Sequence, residues 1–225
     1  MRRQERGSAP DQRRSLPAGE PLGRGRRLSP RLPRAGAGVD GSGAVSEGRT
    51  AEPTAGIIDS QSVRAASSVP AAKRGYDGGK KVPGRKRHVV TDCLGLLLAV
   101  AVTAANVGDR EAAVPLLERV VAAHRSLRLI WADGGYTGVL VDWAREKLHL
   151  TLEIVKRSDA PRFVVLPRRW VVEGTLSWLM RSRRLARDYE TLPATSESII
   201  LWSMTMLMSR RLARRTHTAT MSLAA

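Results

Sequence analysis

Between Ile57 and Arg211, short apolar runs of strand type alternate with stretches of helical period. This alternation limits the fold more than any other feature of the chain. Ile57-Ile58-Asp59 reads as a short strand ended by an acid. Gly75 to Arg87 is rich in glycine and lysine and reads as a loop. His88 to Thr91 and Leu96 to Thr103 form a predicted hairpin turning around Asp92 and Gly95. Ala112, Ala113, Leu116, Leu117, Val120 and Val121 recur at helical spacing behind a cap at Asn106 or Asp109. A strand over 127–131, running into Ala132-Asp133-Gly134-Gly135, precedes a helix over 140–147 and a strand over 150–155. Beyond a loop flanked by Pro161 and Pro167, helices are expected over 170–187 and 196–211. Strands that pair first as a hairpin and are then joined through helices imply a mixed α/β sheet with helices on its faces.

Residues 1–50 follow a different rule. They hold 11 Arg and 9 Gly, with no Ile, Phe, Tyr, Trp or Cys. Such a composition buries too little apolar surface to offset the entropy of ordering, so a disordered arm is expected. The arm reads equally as a phosphate-binding extension or as a frame-shifted start from a GC-rich gene. It has the charged beginning of a secretory signal without the apolar segment. The expected domains are this arm (1–50), a folded α/β domain (51–215) and a short tail (216–225).

Charge and cysteine usage narrow the class. The net charge is +17, of which +11 lies outside the arm, so the expected partner is a polyanion, most simply nucleic acid. The single cysteine, Cys93, rules out an intramolecular disulfide and fits a reducing cytoplasm. No apolar run is long enough to suggest a membrane span.

Three acids stand out against this background. Asp59 and Asp133 each follow an apolar strand, and Glu173 opens a helix in Arg168-Arg169-Trp170-Val171-Val172-Glu173. Singly they read as turn or helix-terminal residues. Together, three carboxylates at strand ends and an adjoining helix can hold two hard divalent cations, which also coordinate phosphate oxygens. In a basic protein that combination points to phosphodiester chemistry.

Four motifs resemble the DDE transposases of bacterial insertion sequences, IS5 family. They are Ile58-Asp59-Ser60-Gln61-Ser62-Val63, the Gly75 to His88 loop, Trp131-Ala132-Asp133-Gly134-Gly135-Tyr136 and Arg169-Trp170-Val171-Val172-Glu173. The resemblance runs from about Gly56 to Arg211. It implies an RNase H-like domain with a mixed five-stranded sheet, the first three strands antiparallel and the rest parallel. It also implies that Asp59, Asp133 and Glu173 are catalytic and bind Mg²⁺, two ions, with Mn²⁺ able to substitute. The implied activity is cleavage at the element's ends and strand transfer into target DNA by a homodimer, in the cytoplasm at the nucleoid. The chain departs from the family pattern at Leu166, where a tyrosine is expected, at Met180, where a basic residue is expected, and at Gly174, often Arg. The front of the chain does not resemble the helical end-recognition region of the family. The alternative is therefore a truncated or frame-shifted remnant that binds DNA or represses without cutting.

Basic residues complete the picture. Lys80, Lys81, Arg85, Lys86 and Arg87 in the glycine-rich loop, with Arg169 and Arg181, are the expected DNA contacts. His88 is a further candidate for phosphate contact. Trp170, Trp178 and Trp202 are expected in the core, and Trp131 beneath Asp133. The four histidines lack metal-ligand spacing, and no phosphate-binding loop motif implies ATP.

Overall fold

The structure, a computed structural model, describes residues 52–155 and 169–223. The expected arm over 1–50 lies outside the described residues. The strands are β1 (Ala55–Arg64), β2 (Gly75–Asp77), β3 (Val82–Asp92), β4 (Leu97–Ala104), β5 (Leu129–Ala132) and β6 (Thr151–Ile154). The helices are α1 (Asp109–Ala123), α2 (Val139–Leu148), α3 (Arg169–Met180) and α4 (Pro193–Leu223). β1 pairs antiparallel with β3, and β3 with β4, while β5 and β6 add in parallel on the other side of β1. Without the short β2, the order is β4-β3-β1-β5-β6, the mixed RNase H-like arrangement expected from the sequence. β2 is a sixth strand within the expected loop. It pairs with residues 82–84 on the edge of β3 that β4 uses further along.

Neighbouring residues of β1 divide the core. Ile57 joins Val89, Val100, Val102 and Trp131 under α3 and α4. Ile58 joins Val90, Ile130, Ala132 and Leu152 under α1 and α2. Both isoleucines are fully buried, so each face of the central strand is sealed by a helical layer. α1 buries Ala112, Ala113, Leu116, Leu117 and Val120, as its apolar spacing predicts, but its N-cap is Gly108, not Asn106 or Asp109. α3 ends at Met180 rather than 187, and a 3₁₀ turn over Arg183–Leu185 follows it. α4 starts at Pro193 and continues to Leu223, past the expected end at 211. Among the described residues no helix is long and apolar enough to cross a membrane.

Two polar devices hold the α3–α4 side in position. Arg85 is fully buried, and its guanidinium donates to the carbonyls of Lys73 (3.0 Å), Glu190 (2.8 Å) and Thr191 (3.0 Å) and pairs with Asp188 (3.4 Å). Asp188 also accepts from the Ser196 hydroxyl near the start of α4 and from the Glu190 amide. On β4, the amide of Val102 donates to Glu197 Oε1 at 3.0 Å, and Arg119 of α1 lies 3.6 Å from Oε2. Burial pushes the Glu197 carboxyl up from its ordinary range, with the Val102 amide and Arg119 opposing the rise.

Removing one partner of a buried ion pair strands the other charge. Asp188→Ala is expected to lower stability by about 3–5 kcal/mol, measured by urea denaturation. The double variant Arg85→Met/Asp188→Leu should recover most of that loss. A double variant no more stable than Asp188→Ala would show that the pair is not what the site depends on.

Candidate active site

The parallel register between β1 and β5 builds the site. Ala55 faces Leu129, Gly56 faces Ile130 and Ile57 faces Trp131. Continuing that register by two residues sets Asp59 of β1 level with Asp133, the residue that follows β5 and caps the next 3₁₀ turn. Alternation along β1 gives Asp59 the face of Ile57, and Asp133 follows Trp131 in the same phase. Asp59 lies within β1 rather than at its end, which corrects the expected boundary. The strand continues through Ser60 to Arg64 because each of these residues pairs with β3, out to Arg64 opposite Gly84.

Local hydrogen bonds hold both carboxylates. Asp59 Oδ1 accepts from the amide of Ser60 at 2.7 Å. Asp133 caps the 3₁₀ turn Gly134–Tyr136, its Oδ1 accepting from the Gly135 amide at 2.8 Å. Gly135 lets the turn close tightly on this carboxylate. A Cβ there would lie 3.0 Å from Asp133 Oδ1 and 3.6 Å from Asp109 Oδ2, wedged between two carboxylates. Tyr136 is buried below, and its hydroxyl is held well above the ordinary phenol range. Burial is the main cause, and the charges of Asp109, Asp59 and Asp133 add to it. Trp131 is buried beneath the pair as expected, its indole N–H donating to Glu153 at 2.9 Å.

Glu173 sits on α3, the helix that packs its Val172, Leu176 and Leu179 onto the Ile57 face of the sheet. Its side chain is exposed on the flank of that helix. The strand register therefore sets Asp59 level with Asp133, and Glu173 lies on the covering helix. Among the described residues, it does not close three acidic or histidine side chains into a metal-binding group.

Asp109 was not marked as a site residue by any spacing in the sequence. It opens α1 and lies 3.2 Å from Lys86 Nζ and 3.8 Å from His88 Nδ1. Lys86 also lies 3.6 Å from Asp77 and donates to the Val107 carbonyl at 3.0 Å. This chain of charges runs along the sheet face opposite Asp59. Burial alone would raise the Asp77 carboxyl, but hydrogen bonds from Ser62 and the Lys80 amide, with the charges of Lys86 and Lys80, bring it down to about 2. His88 is lowered to about 4, chiefly by burial, with Asp109 opposing and Lys86 and Lys80 assisting.

The expected DNA contacts separate into two groups. Lys80, Lys81 and Arg181 are exposed. Lys80 Nζ donates to the carbonyl of Ser60 at 2.9 Å, one residue from Asp59. Arg85, Lys86 and Arg87 belong to β3 and are buried, so they are internal cations rather than loop residues facing a phosphate. Arg87 donates to the Leu185 carbonyl at 2.7 Å, and burial lowers its guanidinium to about 10 against the pull of Asp188. His88 is likewise fully buried, with Nε2 3.0 Å from Thr103 Oγ1, which removes it as a phosphate contact. Arg169 opens α3, and its side chain lies outside the described residues, as does Leu166. Trp170 and Trp202 are 59% and 68% exposed, against the expectation that both lie in the core, because the apolar stripes of α3 and α4 turn other residues inward.

The strand order, with three antiparallel strands followed by two parallel ones and helices on both faces, is that of an RNase H-like domain. The chain belongs to the family of transposase DDE domains, whose model matches residues 50–208. A transposase assigned to insertion sequence element IS402 of Burkholderia cepacia is 34% identical over 115 residues, which are 48% of this chain and 54% of that protein. The match thus spans about half the length of that relative. Solved structures similar to the chain include the catalytic core domain of BIV integrase, at 12% identity and TM-score 0.41, covering 74% of this chain and 98% of that one. A chain of the simian T-cell lymphotropic virus intasome in complex with PP2A regulatory subunit B56 gamma is 16% identical, with TM-score 0.42, covering 68% and 48%.

The buried network makes stability fall with acid. His88 titrates at about 4 in the fold against 6.5 when unfolded, so between those values the unfolded chain binds more protons and stability drops as pH falls. Asp77, at about 2 against 3.8, extends the loss below pH 3.8. His88→Gln is expected to flatten the dependence between pH 6.5 and about 4 and to leave the acid limb below it. Urea midpoints across that range provide the check.

Proposed function

We propose that the chain acts in DNA transposition, cutting DNA at the ends of an insertion sequence and joining the freed end to target DNA. The observation that carries this reading is Asp59 on β1 and Asp133 just past β5, brought level by the parallel register of the two strands, within a chain of the transposase DDE domain family. The substrates would be the element's terminal repeats and the target duplex, held by a homodimer at the bacterial nucleoid.

The donor set fits a hard divalent cation, Mg²⁺ or Mn²⁺. Both proposed ligands are carboxylates, and the negative field that helps keep the Tyr136 phenol protonated also favours a cation between the strands. When bound, such ions polarise the phosphate and acidify an attacking water or 3′-hydroxyl. Asp59 and Asp133 would hold the metal from the rigid sheet, and Glu173 would supply a third carboxylate from α3. Lys80, tethered to the Ser60 carbonyl, would steady a phosphate beside the pair, and Lys81 and Arg181 would contact backbone further out. Tyr136 stays neutral and buried, so it serves as the floor of the site rather than as a nucleophile.

A second reading is a protein that binds DNA without cutting it. It is favoured by the absence, among the described residues, of a closed group of three metal-binding side chains. The two readings separate in one experiment, the nicking of supercoiled DNA carrying the element's ends, with Mg²⁺ or Mn²⁺. Asp59→Asn and Asp133→Asn are each expected to lower nicking more than about a hundredfold, the upper end for groups that merely support a ligand. DNA binding should stay near that of the parent chain. Glu173→Gln should act in the same way. Nicking unaffected by Asp133→Asn would remove that residue from the site, and binding without any metal-dependent nicking would establish the second reading.

A further inference from the structure

At the far end of β1 from Asp59 an open cleft of about 650 Å³ is lined by Arg64, Arg74 and Arg187, with Gly75 and Pro83 among its walls. We propose that this cleft is a second DNA site, one that grips the phosphate backbone of the duplex flanking the reacting bond. The proposal rests on the reading of the chain as a protein acting on DNA, but its test does not depend on cutting.

The cleft is built by packing rather than by loosely placed surface arginines. The amide of Asp188 donates to the carbonyl of Arg64 at 2.9 Å, and the amide of Ala66 donates back to the carbonyl of Asp188 at 2.7 Å. These bonds form a short parallel bridge between Ala65 and Asp188, which sets Arg187 beside the end of β1. The Asp188 side chain is locked by Arg85 and Ser196 inside the fold. Arg85, expected from the sequence to touch DNA, instead fixes the segment that presents Arg187. On the other side, Gly75 follows Arg74 and packs so closely on Asn106 that a Cβ would come within 1.8 Å of its Oδ1. A Cβ on Gly84, opposite Arg64, would meet the Val63 carbonyl at 2.0 Å.

Arg64, Arg74 and Arg187 are all exposed, and none is ion-paired with a carboxylate among the described residues. Three like charges converging on one opening raise the free energy of the unliganded protein and favour a polyanion there. Guanidinium forks suit phosphate oxygens in particular. Arg64 lies five residues along β1 from Asp59, about 17 Å at 3.3 Å per residue. That distance equals the rise of about five base pairs of B-DNA. The odd step along β1 starts Arg64 from the face opposite Asp59, so a duplex reacting at the aspartates spans that distance by passing around the end of the sheet into the cleft.

The test uses the full chain and a linear duplex of unrelated sequence, with binding measured across a NaCl series. Arg64→Ala/Arg187→Ala is expected to weaken binding about tenfold or more and to reduce the slope of log K against log[NaCl] by about 1.8, the share of two phosphate contacts. Arg64→Lys/Arg187→Lys keeps the charge and should retain most of the parent slope. Residues 1–50 carry 11 Arg, but these are common to every variant and cancel in the difference. A parent-like slope in a folded Arg64→Ala/Arg187→Ala protein, judged by circular dichroism and melting, would overturn the proposal. So would an equal loss in the lysine variant. Asp133→Asn in the same assay should keep the parent slope. A reduced slope in the alanine variant of a chain that never nicks DNA would leave the cleft standing and the catalytic reading refuted.

Discussion

β1 is hydrogen-bonded along both edges, and the phase in which it pairs decides nearly everything else. Ile57 fills one core and Ile58 the other, so a slip of one residue would exchange them and carry Asp59 to the wrong side of the sheet. The same phase, read across to β5, brings Asp133 level with Asp59. Two hydrophobic clusters on opposite faces thus determine the relative position of two charged groups that belong to neither. The chemistry proposed for the chain depends on apolar packing some residues away from it.

Much of this was legible in the sequence, for a physical reason. Where a signal is local, it survives without the fold: the six apolar positions of α1, the strand that runs into Asp133-Gly134-Gly135, the hairpin turning at Asp92 to Gly95. The order of those elements was enough to give the mixed sheet. Signals that depend on distant partners did not survive. Ser60, Ser62 and Arg64 look like the residues after a strand, yet they lie within one, because β3 supplies partners twenty or more residues away. Arg85 and Arg87 look like solvated loop cations, and only the carbonyls contributed by residues 185–191 explain how a strand can bury them. Asp109 is unremarkable as the first residue of a helix. It gains its place through Lys86 and His88, neither of which is near it in the chain.

The charge of the protein therefore has two distinct uses. Part of it is internal, with Arg85 and Arg87 donating to carbonyls of the 185–191 segment and tying it to the sheet. Another part, including Lys80, Lys81, Arg181 and the three arginines of the cleft, faces outward. Net charge alone counts both alike, and only burial separates the cations that build the fold from those offered to a partner.

Glu197 has a consequence of a different kind. β4 is the last strand on its side, and such an edge offers unpaired amides onto which another extended chain can add. The Glu197 carboxylate, reaching across from α4, occupies the Val102 amide and seats a charge on that border. A segment attempting to extend the sheet would have to displace it, trading a charge-assisted bond for a neutral one. α4 thus does more than cover a hydrophobic face, since it also sets a carboxylate against the open edge of the sheet.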